Sequence, residues 1–143
     1  MNWKSEAIER LNKYPAMEMA LKNLPIEINR LKLEAESISS CSPDRIPSRS
    51  PAGPRDERLL TNMVRRKELT DAYENAKLWV DTTHNALKVL PDQDETILRR
   101  MYLETGKGAV TELCQEMGME QSSIYRHRDQ ALYRFTMALY GVS

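Results

Sequence analysis

Apolar side chains recur in alternating steps of four and three residues along two separate stretches of the chain. The first stretch consists of Met17, Leu21, Leu24, Ile28, Leu31, Ala35 and Ile38, and the second of Leu69, Ala72, Ala76, Trp79, Thr83, Ala86 and Leu90. This spacing is typical of the narrow apolar seam by which one helix packs along another. Each seam spans about 32 Å at ~1.5 Å per residue, so the two helices match in length. The seams predict a long, coiled-coil-like antiparallel helical hairpin, and they leave open whether the pairing lies within one chain or between two.

Prolines set the predicted limits of these helices. A short N-terminal amphipathic helix is predicted to stop at Pro15, and Pro25 is predicted to kink the next helix or mark a restart, because proline lacks the backbone N–H and crowds the preceding turn. The stretch 39–56 has four prolines, five serines and one glycine in eighteen residues, which predicts a flexible linker. The N-terminal helices of the hairpin then fall in 1–38 and its long second helix in 57–90.

Charge and cysteine content limit the classes of function. The formal net charge is zero, with 21 Lys and Arg against 21 Asp and Glu, so any nucleic-acid contact must be local. Cys41 and Cys114 are far apart and have no neighbouring metal ligands, which argues against a disulfide framework or a zinc site. The N-terminus lacks a signal-peptide pattern, and no stretch reaches the ~18 apolar residues of a membrane helix. The expected location is the reducing cytoplasm of a bacterial host cell, with no membrane partner.

The stretch from Val110 to Phe135 has the pattern of two helices joined by a tight turn. The first helix carries one apolar stripe at i, i+3, i+4 and i+7. Its members are Val110, Leu113, Cys114 and Met117. Gly118 follows directly, where a left-handed residue can end a helix without the steric penalty of a Cβ atom. Met119 is predicted to pack into the core, so that a helix-turn-helix lies within a small domain at 91–143.

At about 100° per residue, the second helix of this motif separates into two faces. Its inward face is predicted to hold Ile124, Ala131 and Phe135. Its outward face is predicted to hold Ser122, Arg126, Asp129 and Tyr133. Gln, Ser, Tyr and Arg side chains near the N-terminal end of such a helix are suited to base edges and phosphates. A merely solvated polar face is the alternative.

The remaining charge pattern of 91–143 is slightly acidic, with six Lys and Arg against eight Asp and Glu. Within it, the second helix of the motif is locally positive through Arg126, Arg128 and Arg134. The acids Asp92, Asp94 and Glu95 stand at the start of another predicted helix, where carboxylates favour the positive end of the helix dipole. A metal site at these three acids is a minor alternative, and no cofactor is expected.

From Leu90 to Phe135 the chain resembles the fourth region of bacterial sigma factors, which reads the −35 promoter element. The matching residues are Leu90-Pro91, Ile97-Leu98, Tyr102, Glu112-Leu113-Cys114, Met117-Gly118-Met119, Ile124 and Ala131-Leu132. The whole layout also resembles small phage-encoded regulators of the ArpU/RinA-like type. The resemblance implies an all-α protein in which a helical hairpin precedes a small sigma-region-four-like domain. No other sigma region is evident, and Glu120 stands where the sigma pattern usually has a Ser or Thr cap.

The sigma resemblance also implies roles for six residues of the second helix. Residues contacting bases would be Gln121, Ser122 and Arg126. Residues near phosphates would be Ser123, Tyr125 and Arg128. The expected function is a phage or prophage transcription regulator that reads the major groove of double-stranded DNA with helix 121–139.

Such a regulator is expected to act as a homo-oligomer through the seams or together with RNA polymerase. One rival is a protein-interaction module that docks on RNA polymerase, and another is the recognition subunit of a DNA-packaging complex. An enzyme is not expected, because the only histidines, His84 and His127, lie in no nucleophile or ligand pattern.

Overall fold

A computed structural model describes residues 2–40, 53–104 and 106–141 of the chain. All regular structure in these ranges is helical, as the sequence predicts, and they contain no strand. The elements are α1 (Trp3–Ser39), α2 (Pro54–Lys88), α3 (Asp92–Leu98), a π-helical turn (Arg99–Leu103), α4 (Ala109–Met117) and α5 (Gln121–Tyr140). No helix in the described ranges is both long enough and apolar enough to cross a membrane.

The prediction that a helix stops at Pro15 is wrong, since α1 continues through both Pro15 and Pro25. A proline inside a helix costs about 3 kcal/mol because it removes a hydrogen bond and crowds the preceding turn. Packing just upstream of Pro15 offsets this cost, because Leu11 and Tyr14 are both buried. Burial on this scale contributes roughly 1.5–3 kcal/mol for each large side chain, so tertiary packing outweighs the local helix-breaking signal.

The second long helix begins at Pro54, three residues before the predicted start at Glu57. Proline suits the first position of a helix because its missing N–H would have no partner there and its φ is already helical. Asp56 and Glu57 follow in the first turn, where they favour the helix dipole. Of the predicted linker at 39–56, residues 41–52 lie outside the described residues.

The chain divides into two compact units, which we call the terminal unit and the middle unit. The terminal unit consists of the described residues of Met1–Glu18 and Leu78–Ser143, and the middle unit of those of Met19–Lys77. The middle unit buries few large apolar side chains, among them Leu31 and Leu69. It also buries Asn62, whose side-chain amide donates a hydrogen bond of 2.8 Å to the Leu31 carbonyl. This bond joins α2 to α1 within the middle unit.

The terminal unit has two groups of buried apolar residues. The larger group is Ala7, Leu11, Ala86, Leu87, Leu90, Leu98, Ala131, Leu132 and Phe135. The smaller group is Ile97, Leu113 and Ile124, against which Val110, Cys114, Met117 and Met119 pack. The predicted apolar stripe of α4 therefore faces the protein interior. Helix α5 contributes Ile124 to the smaller group and Ala131, Leu132 and Phe135 to the larger group. Packing at both ends of this helix therefore fixes which of its sides faces solvent.

Candidate nucleic-acid interface

The candidate interface begins at the turn between α4 and α5. Gly118 ends α4 with a φ of +62°, in the left-handed region that the sequence predicts for it. The N–H of Met119 then donates to the Cys114 carbonyl at 3.2 Å, which satisfies one of the free carbonyl groups at the helix end. Met119 packs against the smaller buried group, as predicted. The turn thus holds the start of α5 close to the core.

The first turn of α5 has no side-chain cap. Glu120 precedes the helix in an extended conformation and makes no capping hydrogen bond. The sequence has Glu120 where a Ser or Thr cap would be usual in the sigma pattern, and the structure has no side-chain cap at that position. The N–H groups of this turn, which have no partner within the helix, lie beside the exposed side chains of Gln121 and Ser122.

Burial agrees with the predicted inward face of α5 and, in the first half of the helix, with the predicted outward face. Ile124, Ala131 and Phe135 are completely buried, whereas Ser122 and Arg126, on the opposite side, are exposed. The six predicted contact residues fall into two classes of burial. Exposed residues are Gln121, Ser122 and Arg126, and half-buried residues are Ser123, Tyr125 and Arg128.

Arg126 has no ion pair among the described residues. Within the described part of the chain, its guanidinium makes a weak hydrogen bond of 3.4 Å from Nη2 to Ser123 Oγ. A guanidinium group held so loosely keeps its five donors available for an external carboxylate, phosphate or base edge. Arg126 is therefore the cation of α5 that is best placed to bind a partner.

Arg128 and Arg134 make ion pairs within the protein instead. Arg128 donates from Nε and Nη2 to Asp129 Oδ1 at 3.1 and 3.0 Å, and its guanidinium lies 4.9 Å from the centre of the Tyr125 ring. Arg134 donates from Nη1 to the carboxylate of Asp94, which is buried. The sequence predicts positive charge from all three arginines, but two of these charges are balanced by carboxylates.

Asp94 is thus an ion-pair partner of α5 and lies in the first turn of α3. The sequence left a minor metal-site alternative open for Asp92, Asp94 and Glu95. The Asp94 carboxylate bonds to Arg134, and the Glu95 carboxylate accepts a hydrogen bond of 2.8 Å from Arg99 Nε. Both acids therefore have protein partners.

The second half of the predicted outward face contacts the first turn of α1. Lys4 Nζ lies 2.8 Å from Asp129 Oδ1, and the rings of Trp3 and Tyr133 meet edge to face with their centres 5.8 Å apart. Lys4 and Trp3 are residues that the sequence reasoning missed. No local pattern could have found them, because the contact joins opposite ends of the chain.

Electrostatics around Asp129 follow from these contacts. Partial burial acts to raise the pKa of Asp129, but hydrogen bonds and charges from Lys4 and Arg128 outweigh it and hold the pKa below its ordinary value. Burial raises the pKa of Tyr102, and the nearby Arg128 opposes this rise. Both shifts favour the forms that these groups already have at physiological pH, an ionised Asp129 and a neutral Tyr102.

The acids of α4 are also paired. Arg100 donates to Glu112 at 3.1 Å and to Glu116 at 2.7 Å. These contacts reduce the negative charge that α4 would present beside α5. His127 is half-buried in α5, and its Nδ1 atom has no hydrogen-bond partner among the described residues.

Comparison of the chain with protein-family models, curated proteins and solved structures finds no match.

Proposed function

We propose that the protein is a transcription regulator of phage or prophage type that binds duplex DNA. In this proposal α4 and α5 form a helix-turn-helix, and α5 enters the major groove with its N-terminal half. The observation that carries the proposal is the exposure of Ser122 and Arg126 on the side of α5 opposite the completely buried Ile124, Ala131 and Phe135. Gln121 is exposed at the first position of the same helix. A helix fixed in this way can present side chains to a groove without rearranging its own core.

The three exposed side chains have complementary chemistry for base recognition. Arginine pairs with two acceptors of guanine, glutamine with the acceptor and donor of adenine, and serine with either. In the proposed complex Ser123, Tyr125 and Arg128 lie near phosphates, where hydroxyl groups and a cation fix the register of the helix.

Energetics favour a partner on the DNA. Two or three base contacts at about 1–3 kcal/mol each supply roughly 2–9 kcal/mol of discrimination, whereas specific regulators need about 4–10 kcal/mol over non-specific binding. A second copy of the chain or RNA polymerase would add the remainder. Met19, Ile26 and Leu33, which are exposed at seven-residue intervals on α1 of the middle unit, support a helical contact with a second copy, because this is the spacing of a coiled-coil position.

The test begins with selection of bound sequences from a pool of random duplex DNA at modest salt, followed by fluorescence anisotropy on the selected duplex. We expect Arg126→Ala to weaken binding about tenfold or more and to relax the preference at one base position. The matched control is Arg65→Ala, which removes another exposed arginine charge, from α2, and should leave affinity within about twofold. Binding by Arg126→Ala that equals the wild type would contradict the proposed role of α5.

A second candidate function is docking on RNA polymerase without DNA contact. It is favoured by exposed Tyr133, Met137 and Tyr140, which lie at i, i+4 and i+7 on the C-terminal half of α5, because aromatic residues and methionine are enriched at protein interfaces. Co-purification with polymerase, without any mobility shift of DNA, would favour this candidate. A DNA-packaging subunit would instead form a large closed ring, which a mass measurement in solution would detect.

A further inference from the structure

Two cations from different helices converge on a single carboxylate oxygen beside the proposed DNA-binding face. Lys4 Nζ lies 2.8 Å from Asp129 Oδ1, and Arg128 Nε and Nη2 lie 3.1 and 3.0 Å from the same oxygen. The side chains are 37 % exposed for Lys4, 21 % for Arg128 and 47 % for Asp129. The cluster is therefore open to solvent on the side of its carboxylate.

The local helix geometry of Lys4 and of Arg128 does not by itself explain why their charges meet at Asp129. Lys4 stands in the first turn of α1, where a positive charge opposes the helix dipole and calls for an anionic partner. Neighbouring residues of a helix do not normally face each other, yet Arg128 turns toward the adjacent Asp129. The ring of Tyr125, 4.9 Å from the guanidinium, supports Arg128 in this orientation.

The donors around Asp129 Oδ1 are those that recognise phosphate. A lysine ammonium group and the N–H groups of arginine bind phosphate oxygens as readily as carboxylate oxygens, through short charge-assisted hydrogen bonds. Asp129 follows Ser122 and Arg126 at i+7 and i+3, so all three share one side of α5. A DNA backbone that follows this side of the helix would pass close to the cluster.

We propose that Asp129 occupies the position of a DNA phosphate in the free protein, and that Lys4 and Arg128 exchange the carboxylate for a phosphodiester oxygen when duplex DNA binds. This inference rests on the proposed function and adds the first turn of α1 to the DNA-binding surface. Asp129 then lowers the non-specific affinity for DNA, because its carboxylate competes with every phosphate regardless of base sequence. Binding proceeds only where base contacts made by the start of α5 outweigh the lost ion pairs.

The test uses two variants that break the same ion pair from opposite sides. Asp129→Asn keeps the shape of the side chain and frees both cations, so we expect binding to the selected duplex to tighten roughly three- to tenfold, with a salt dependence steeper by about one to two phosphates. Lys4→Gln removes a phosphate contact, so we expect binding to weaken and the salt dependence to become shallower by about one phosphate. A merely structural link between α1 and α5 predicts that both variants change affinity in the same direction.

The matched control is Glu34→Gln in the middle unit, whose side chain is 46 % exposed and pairs with Arg30. Like Asp129→Asn, this substitution replaces the carboxylate partner of an arginine with a neutral amide. It should leave the affinity for DNA within about twofold. Fluorescence of Trp3, measured with Trp79 replaced by phenylalanine throughout, would verify that α1 stays in place in each variant. Wild-type affinity in Asp129→Asn, or an equal gain in Glu34→Gln, would overturn the inference while leaving the proposed function intact. Failure of the wild type and of Asp129→Asn to bind any duplex would overturn both.

Discussion

The ion pair between Arg134 and Asp94 offers a sharp test of how α5 is held on α3. The Asp94 side chain is 6 % exposed, whereas that of Arg134 is 50 % exposed. Arg134→Met keeps a long stem and a good helix former but leaves the Asp94 carboxylate buried without its partner. We therefore expect this substitution to destabilise the terminal unit.

The magnitude lies between two known limits. Removing one partner of a fully buried ion pair costs about 3–5 kcal/mol, and an exposed pair contributes about 0–1 kcal/mol. With one partner buried and the other half exposed, the expected loss for Arg134→Met is about 2 kcal/mol. Asp94→Asn removes the buried charge and retains an acceptor for Arg134. We therefore expect it to lower the free energy of unfolding by only about 1 kcal/mol.

Urea unfolding followed by tryptophan fluorescence would measure these losses, since both tryptophans, Trp3 and Trp79, lie in the terminal unit. The double variant Arg134→Met/Asp94→Asn has no buried charge left unpaired, so it should lose less than the sum of the two single losses by about 1–2 kcal/mol. Arg30→Met, which breaks solvent-exposed ion pairs on α1 in the middle unit, should leave the fluorescence transition unchanged. Additive losses in the double variant, or a wild-type midpoint for Arg134→Met, would refute the reasoning.

Two further predictions concern the turn and the alkaline stability of the terminal unit. The Cβ atom of Gly118→Ala would meet no atom within 4 Å, but the residue would keep a φ of +62°. Backbone strain alone should therefore cost about 1 kcal/mol and lower the melting temperature by about 4–8 °C. Gly106→Ala, where the space is equally open, should lower the melting temperature far less, and equal effects of the two substitutions would contradict the strain argument. Burial, together with Glu18, raises the pKa of Tyr14 from 10.0 to about 12, so its contribution to stability is fully present below pH 10 and is lost as the pH rises through 12. Absorbance of tyrosinate should show this late ionisation and its loss in Tyr14→Phe, whereas an unchanged alkaline unfolding profile in that variant would contradict the assignment.

Local signals in the sequence predict much of the helical structure because they act over one or two turns. The alternation of apolar residues indicates α1 and α2, and the stripe of α4 followed by Gly118 locates the turn. The inward side of α5, from Ile124 to Phe135, follows from the same 3.6-residue period. These predictions succeed because helix periodicity and left-handed glycine caps depend on neighbouring residues alone.

Predictions fail where tertiary contacts decide. A helix that continues through Pro15 is stabilised by burial of Leu11 and Tyr14, which a local helix-breaking rule does not include. The π-helical turn Arg99–Leu103 has no recognisable sequence signal, and we have no physical account of it. The pairing of Lys4 with Asp129 depends on how α1 meets α5, which no local pattern encodes.

Tertiary pairing also decides how much charge α5 can offer to DNA. From composition alone, α5 carries three arginines and one aspartate, a net charge typical of a helix with appreciable non-specific affinity. In the fold, Arg128 and Arg134 are balanced by carboxylates, and Arg126 has no ion pair among the described residues. Since non-specific affinity grows with the number of phosphates neutralised, these pairings lower it without removing the groups that contact bases. Under the proposed function, a chain of zero net charge thereby gains selectivity, because binding energy comes mainly from the exposed start of α5 and from whatever partner stands beside it.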